Sequence, residues 1–174
     1  MHEAIVPDRT EITRDFCEGL EISHHPDMEK SRIQYNQMIE DAYNEYKNPR
    51  YTIYQILQLL KLARIDEAKK MLKILIKNKQ SSKIDVSLAY TILGTLNPKL
   101  SILYFLKSLS IYQTRENYTQ LAIYYYRKEK WFRAYYFGKK ADSIKIKTDS
   151  ILKIHSVWGF LPFNIMSACL LYTS

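Results

Sequence analysis

Few residues in this chain have the types and spacing that chemistry requires. His2 and Glu3 form one pair: an imidazole able to ligate a metal or hydrogen-bond an anion, beside a carboxylate able to accept a hydrogen bond. His24 and His25 are adjacent, and in an extended segment adjacent side chains face opposite ways. They are therefore expected to cap or pack at the start of the following helix rather than share a metal. Cys17 and Cys169 belong to no CxxC pair or His/Cys cluster, so neither a disulfide framework nor a zinc site is indicated. The remaining set is aromatic: Tyr124-Tyr125-Tyr126, Trp131-Phe132 and Tyr135-Tyr136-Phe137. Such rings can stack on a sugar or base. Adjacent positions on a helix point in different directions, however, so at least half of these rings must serve packing.

The elements that hold these residues follow from composition and periodicity. The chain has 174 residues, 47% of them hydrophobic and 25% charged, enough for one domain with a core. Its 4 glycines are too few for the tight turns and phosphate loops of a complete doubly wound nucleotide-binding domain. The net charge of +8 is unevenly placed. Residues 1–47 carry 5 basic and 11 acidic groups, whereas 61–83 and 127–147 each carry 8 basic and 2 acidic. Basic blocks are a footprint for nucleic acid or anionic lipid. Yet Lys69, Lys70, Lys73 and Lys77 fall at helical spacing opposite an apolar stripe, the pattern of a solvated helix face, and no nucleic-acid-binding signature accompanies them. No nucleic-acid partner is expected. The apolar stretch 156–172 contains Pro162 and Asn164 and is shorter than the roughly 20 residues a span needs, so it is expected to be a repeat helix and not a membrane span. Without the order of a signal peptide at the N-terminus, a cytoplasmic location is expected.

Along the chain, residues 1–26 differ from the rest, with short β-favouring pieces (Ala4-Ile5-Val6, Leu20-Glu21-Ile22) between Pro7 and Pro26. After Asp27 the pattern turns helical until Asn48-Pro49 breaks it. Beyond that point the helices repeat. Ala68, Ser101 and Ala134 are spaced by 33 residues. Leu72, Phe105 and Gly138 follow four residues on, and Leu75, Ser108 and Ala141 seven on. A small residue recurring at one place in alternate helices lets the two helices of a hairpin approach closely. Helix-turn-helix units at a period of about 34 residues mark a tetratricopeptide-like solenoid. Three hairpins are expected, near 50–80, 84–113 and 115–146, with 148–172 beginning a fourth. The sequence resembles tetratricopeptide repeats at the small and aromatic positions, including Trp131 before Ala134, and at Ala89 and Ala122. It departs at Ile56, where a small residue is usual, and at Gln80, Gln113 and Ile146, where the family has a closing proline. The expected fold class is all-α over about 85% of the chain, a helical-hairpin solenoid preceded by a short irregular or β remnant.

The string His2-Glu3-Ala4-Ile5-Val6-Pro7, then Gly19-Leu20-Glu21-Ile22-Ser23-His24-His25, resembles the tail of the catalytic domain of bacterial family 2 glycosyltransferases that carry C-terminal tetratricopeptide repeats. The resemblance continues through Asn48-Pro49-Arg50-Tyr51, Leu106-Lys107-Ser108-Leu109 and Trp131-Phe132-Arg133-Ala134-Tyr135. It implies a GT-A catalytic domain upstream, a nucleotide-sugar donor, and a divalent metal (Mn or Mg) held by an Asp-x-Asp motif that this sequence lacks. In that parent His2 would ligate the metal or hydrogen-bond the donor's diphosphate, and Glu3 would be the catalytic residue that hydrogen-bonds a sugar hydroxyl or orients the histidine. The fragment alone is expected to be inactive and to hold no cofactor. The final Cys169-Leu170-Leu171-Tyr172-Thr173-Ser174 resembles a translated transposon end from sequencing libraries, which implies a non-native tail.

The resulting organisation is a catalytic-domain remnant at 1–26, a linker helix at 27–48, repeats at 49–168 and the tail at 169–174. The repeats would bind a protein or peptide acceptor or pair two subunits as a homodimer. The alternative is a non-enzymatic tetratricopeptide adaptor whose basic helices bind an acidic partner.

Overall fold

Asn48, Ser82 and Thr114 each precede an apolar-periodic run, and each does the work that residue types of this kind do at helix starts. Asn48 Oδ1 accepts from Tyr51 N at 3.1 Å, with Pro49 at the first helical position, where its missing N–H costs nothing. Ser82 Oγ accepts from Asp85 N at 3.1 Å, and Thr114 forms a capping box with Asn117.

The computed structural model describes residues 32–46, 48–147 and 149–172. The chain divides into two units, Met1–Ser31 and Arg32–Ser174. The expected β remnant at 1–26 lies outside the described residues. Among those described, the fold is all-α: α1 (Arg32–Tyr46), α2 (Pro49–Lys61), α3 (Ile65–Lys77), α4 (Lys83–Leu96), α5 (Ser101–Ile111), α6 (Arg115–Arg127), α7 (Trp131–Ser143) and α8 (Leu161–Leu171), with 3-10 turns at Pro98–Leu100 and His155–Trp158. Consecutive helices pack on one another from α1 through α7, and α8 packs on α7 and α6. The helix α8 runs unbroken through the expected boundary between 168 and 169.

The turns that join α2 to α3 and α6 to α7 have the same construction. Ala63 (φ 56°) and Glu129 (φ 55°) occupy the left-handed region. Arg64 N donates to Leu59 O at 2.9 Å and Ala63 N to Leu60 O at 3.2 Å; Lys130 N donates to Tyr125 O at 3.0 Å and Glu129 N to Tyr126 O at 2.9 Å. Both are Schellman closures, in which a residue with positive φ satisfies the last carbonyls of a helix. The middle hairpin closes differently. Its equivalent position, Leu96, is still helical, and Pro98 starts a 3-10 turn. There Asn97 Nδ2 donates to Leu93 O at 2.8 Å and Ser101 Oγ to Gly94 O at 2.8 Å, so side chains satisfy the carbonyls.

The buried side chains of the second helices stand in register. Ala68, Leu72 and Leu75 on α3, Ser101, Phe105 and Ser108 on α5, and Ala134, Gly138 and Ala141 on α7 are all buried. Volume is traded across the pairs: a methyl on Gly94 would come within 2.4 Å of the Phe105 ring, and Met166 of α8 approaches the space that Gly138 leaves. One apolar cluster joins α2, α3 and α4, including Ile53, Ile56, Leu72, Leu75, Leu88 and Leu93; another joins α6, α7 and α8 through Ala122, Ala134 and Ile165. Where α4, α5 and α6 meet, the interior is polar. Ser108 Oγ bonds Ser87 O (2.8 Å) and Thr91 Oγ1 (2.7 Å), and Asn117 Nδ2 donates to Ser87 Oγ at 2.8 Å and also to Ser108 Oγ.

The repeated turn yields a test. A non-glycine residue in the left-handed region costs on the order of 1 kcal/mol, so Ala63→Gly and Glu129→Gly are each expected to raise stability by about 0.5–1 kcal/mol. Leu96→Gly, in a helical position of the middle hairpin, is expected to lower it by about 1 kcal/mol or more. Urea unfolding of the three variants checks the signs.

Candidate binding surface

The two residues expected to do chemistry, His2 and Glu3, lie outside the described residues, as do His24 and His25. Among the described residues no group of three or more His, Cys, Asp or Glu could hold a metal ion. What the structure brings together instead is a polar crevice at the amino ends of the first helices, an aromatic seam between α6 and α7, and a long segment that straps the hairpins.

The crevice, about 340 Å³, is lined by Asn48 and Arg50 of the α2 start, Ser82 and Asp85 of the α4 start, and Asp149 and Ser150. Most of its polar groups are already engaged. Asn48 and Ser82 cap their helices, Ser82 Oγ bonds Asp85 Oδ2 at 2.7 Å, and Ser150 Oγ donates to the other oxygen of Asp85. Arg50 sits over the Tyr54 ring at 5.9 Å. This arrangement fastens chain segments together, joining the start of α4 to Ser150 through the Asp85 carboxylate.

Ser150 belongs to the connection 144–160, which is much longer than the connections 78–82 and 112–114 between the other hairpins. Its sequence carries the side chains that anchor it. Leu152 is buried in the apolar cluster of α2, α3 and α4, and Val157 is buried near the start of α6. The Arg115 side chain, itself nearly buried, donates from Nε to Val157 O at 2.8 Å and from Nη1 to Ile144 O at 3.2 Å, gripping both ends of the connection. Its guanidinium also reaches Asp142 Oδ1 at 3.5 Å and lies 5.4 Å from the Trp158 ring, whose Nε1 donates to Glu116 Oε1 at 2.8 Å. A guanidinium with several donors in one plane suits this double grip, which a lysine could not reproduce.

Comparisons with protein-family models, curated proteins and solved structures return no match to this chain. Its own geometry therefore carries the reading.

The aromatic run is shared between seam and surface. Tyr125 stacks on Phe137 with centroids 5.4 Å apart and planes 6° apart; Tyr118 stacks on the same ring at 6.3 Å, and Tyr124 meets Phe105 edge-on at 6.4 Å. Burial, then the neighbouring Tyr136, pushes the Tyr118 phenol above its ordinary range. Trp131 contacts Tyr126 and Tyr172. Phe132, 81% exposed, and Tyr136 face outward. The rings thus lock α6 to α7 in large part, as their angular spread around the helices requires, and only a minority are presented to solvent. Burial also raises the pKa of the Cys169 thiol.

The roles of Arg115 and Leu152 escaped the sequence because their partners lie far away along the chain, and Trp158, expected from the sequence to be exposed, is instead half-buried and bonded to Glu116. The one available signal is the unusual length of the connection after α7. Leu152→Ala is expected to cost about 2–4 kcal/mol and Arg115→Lys to loosen the connection. Urea midpoints and the rate of tryptic cleavage at Lys145, Lys147 and Lys153 measure both. Unchanged cleavage in the two variants would show that the connection is held by other contacts.

Proposed function

We propose that the chain is a tetratricopeptide-like solenoid of three hairpins, α2–α3, α4–α5 and α6–α7, with α8 opening a fourth, and that it works as a binding module for a protein or peptide. The observation that carries this reading is the register of the second helices: three buried positions recur in each at the spacing of Ala68, Ser101 and Ala134. The matching turns at Ala63 and Glu129 support it, since two such closures separated by two repeat lengths are expected when one hairpin design is reused. Stacked hairpins leave their first helices lining an extended surface, which is how such arrays hold extended partners. In this chain the amino ends of those helices are crossed by the connection 144–160, so the surface offered to a partner includes that strap.

The wider setting we propose is the C-terminal part of a family 2 glycosyltransferase, with the module presenting an acceptor to a catalytic domain encoded upstream. Catalysis by Glu3, metal binding by His2, and use of a nucleotide-sugar donor belong to this part of the proposal. They rest on the ordered series of sequence resemblances alone.

Sequencing the natural gene upstream of the Met1 codon tests the setting. A continuous reading frame that encodes an Asp-x-Asp motif within an α/β pattern is the expected result. A stop codon followed by a ribosome-binding site would assign the chain to a free-standing adaptor.

A further inference from the structure

The outward faces of the second helices carry a pattern that peptide binding on the first helices leaves unused. Each second helix packs against its own first helix and against the first helix that follows it. The positions left outside recur in the same 33-residue register as the buried ones. Lys70, Leu103 and Tyr136 are equivalent and exposed, as are Lys73, Leu106 and Lys139, and Ile74, Lys107 and Lys140. Leu103 is 58% exposed, Leu106 51% and Phe132 81%, with Leu100 and Ile74 also outside. Large aliphatic and aromatic groups therefore lie on the same side as a set of basic groups: Lys70, Lys73, Lys77, Lys107, Arg133, Lys139 and Lys140. The acids on the outer positions of α3 are both paired, Glu67 with Arg64 at 2.6 Å and Asp66 with Lys69 at 3.6 Å. On α7, Asp142 is turned toward Arg115 and Lys145.

We propose that this second-helix face docks on an anionic phospholipid bilayer. Exposed leucines and Phe132 would enter the boundary between headgroups and acyl chains while the surrounding lysines, on long flexible stems, meet lipid phosphates. Three other occupants fit the chemistry less well. A second copy of the chain would set one basic face against another, and like charges repel. Protein interfaces favour aromatic residues and arginine and are depleted in lysine, whereas this face holds one arginine among six lysines. Nucleic acid would satisfy the lysines but gives no partner to Leu100, Leu103 and Leu106, which neither stack on bases nor contact phosphate.

Co-sedimentation of the full 174-residue chain with phospholipid vesicles tests the proposal. The chain is expected to pellet with phosphatidylcholine vesicles containing phosphatidylglycerol, to remain in solution with phosphatidylcholine alone, and to be released as salt rises. Each lysine removed from the face is expected to weaken binding about fivefold, so Lys70→Glu with Lys140→Glu should abolish it at low protein concentration. Leu103→Ser with Leu106→Ser should also abolish it. All four residues are exposed, and circular dichroism confirms that each variant keeps its helices. Three results would overturn the proposal: no pelleting with the anionic vesicles, full binding by the leucine variant, or binding to a single-stranded RNA with none to vesicles.

Discussion

Close approach of paired helices at Ala68, Ser101 and Ala134 is the constraint from which the rest of the structure follows. Side chains of one to two heavy atoms let the helix axes come together, and the hairpin is then filled one turn further along. What fills it differs each time: Leu72 in the first, Phe105 in the second, and beside Gly138 in the third the side chain of Met166 from α8. Interiors are packed close to the limit, so each difference demands a reply from the facing helix. Gly94 makes room for Phe105, and Met166 approaches the space beside Gly138. The glycine at 94 is thus explained by the phenylalanine eleven residues later.

The third buried position shows what happens when that reply is polar. Leu75 belongs to the apolar cluster of α2–α4, but Ser108 at the equivalent place on α5 brings a hydroxyl into the interior, and an unpaired hydroxyl there would cost a few kcal/mol. Ser87, Thr91 and Asn117 satisfy it and one another. This network divides the interior into an apolar cluster around α2–α4 and another around α6–α8. The connection 144–160 bridges the division from outside. It leaves α7 in the second cluster, inserts Leu152 into the first, and returns to Trp158 at the start of α6. Arg115 holds both legs of that excursion with one planar group.

Much of this was legible in the sequence, and the limits of legibility are specific. The hairpin limits near 50–80, 84–113 and 115–146 were readable because Ala68, Ser101 and Ala134 recur every 33 residues with larger positions in phase; the caps Ser82 and Thr114 were not singled out. Ile56, which breaks the small-residue rule that Ala89 and Ala122 obey, is buried like them. The left-handed turns at Ala63 and Glu129 gave no sign, since neither is glycine or asparagine. The division of the aromatic run was foreseen in kind but not by ring: nothing local says that Tyr125 and Phe137 stack while Phe132 faces solvent. His2 and Glu3 were readable only through resemblance, and they fall outside the described residues.

The sequence by itself determined the helices and the register of the buried positions. Those properties depend on neighbours three to seven residues away, and a helix repeats them every turn. Only the tertiary structure decided the course of 144–160 and the polar crevice beside it. The pairs that hold this segment, Ser150 with Asp85 and Arg115 with Val157, are 65 and 42 residues apart. Contacts at such separations leave no period in the chain. They exist because one irregular segment found the amino ends of α4 and α6 free to be covered.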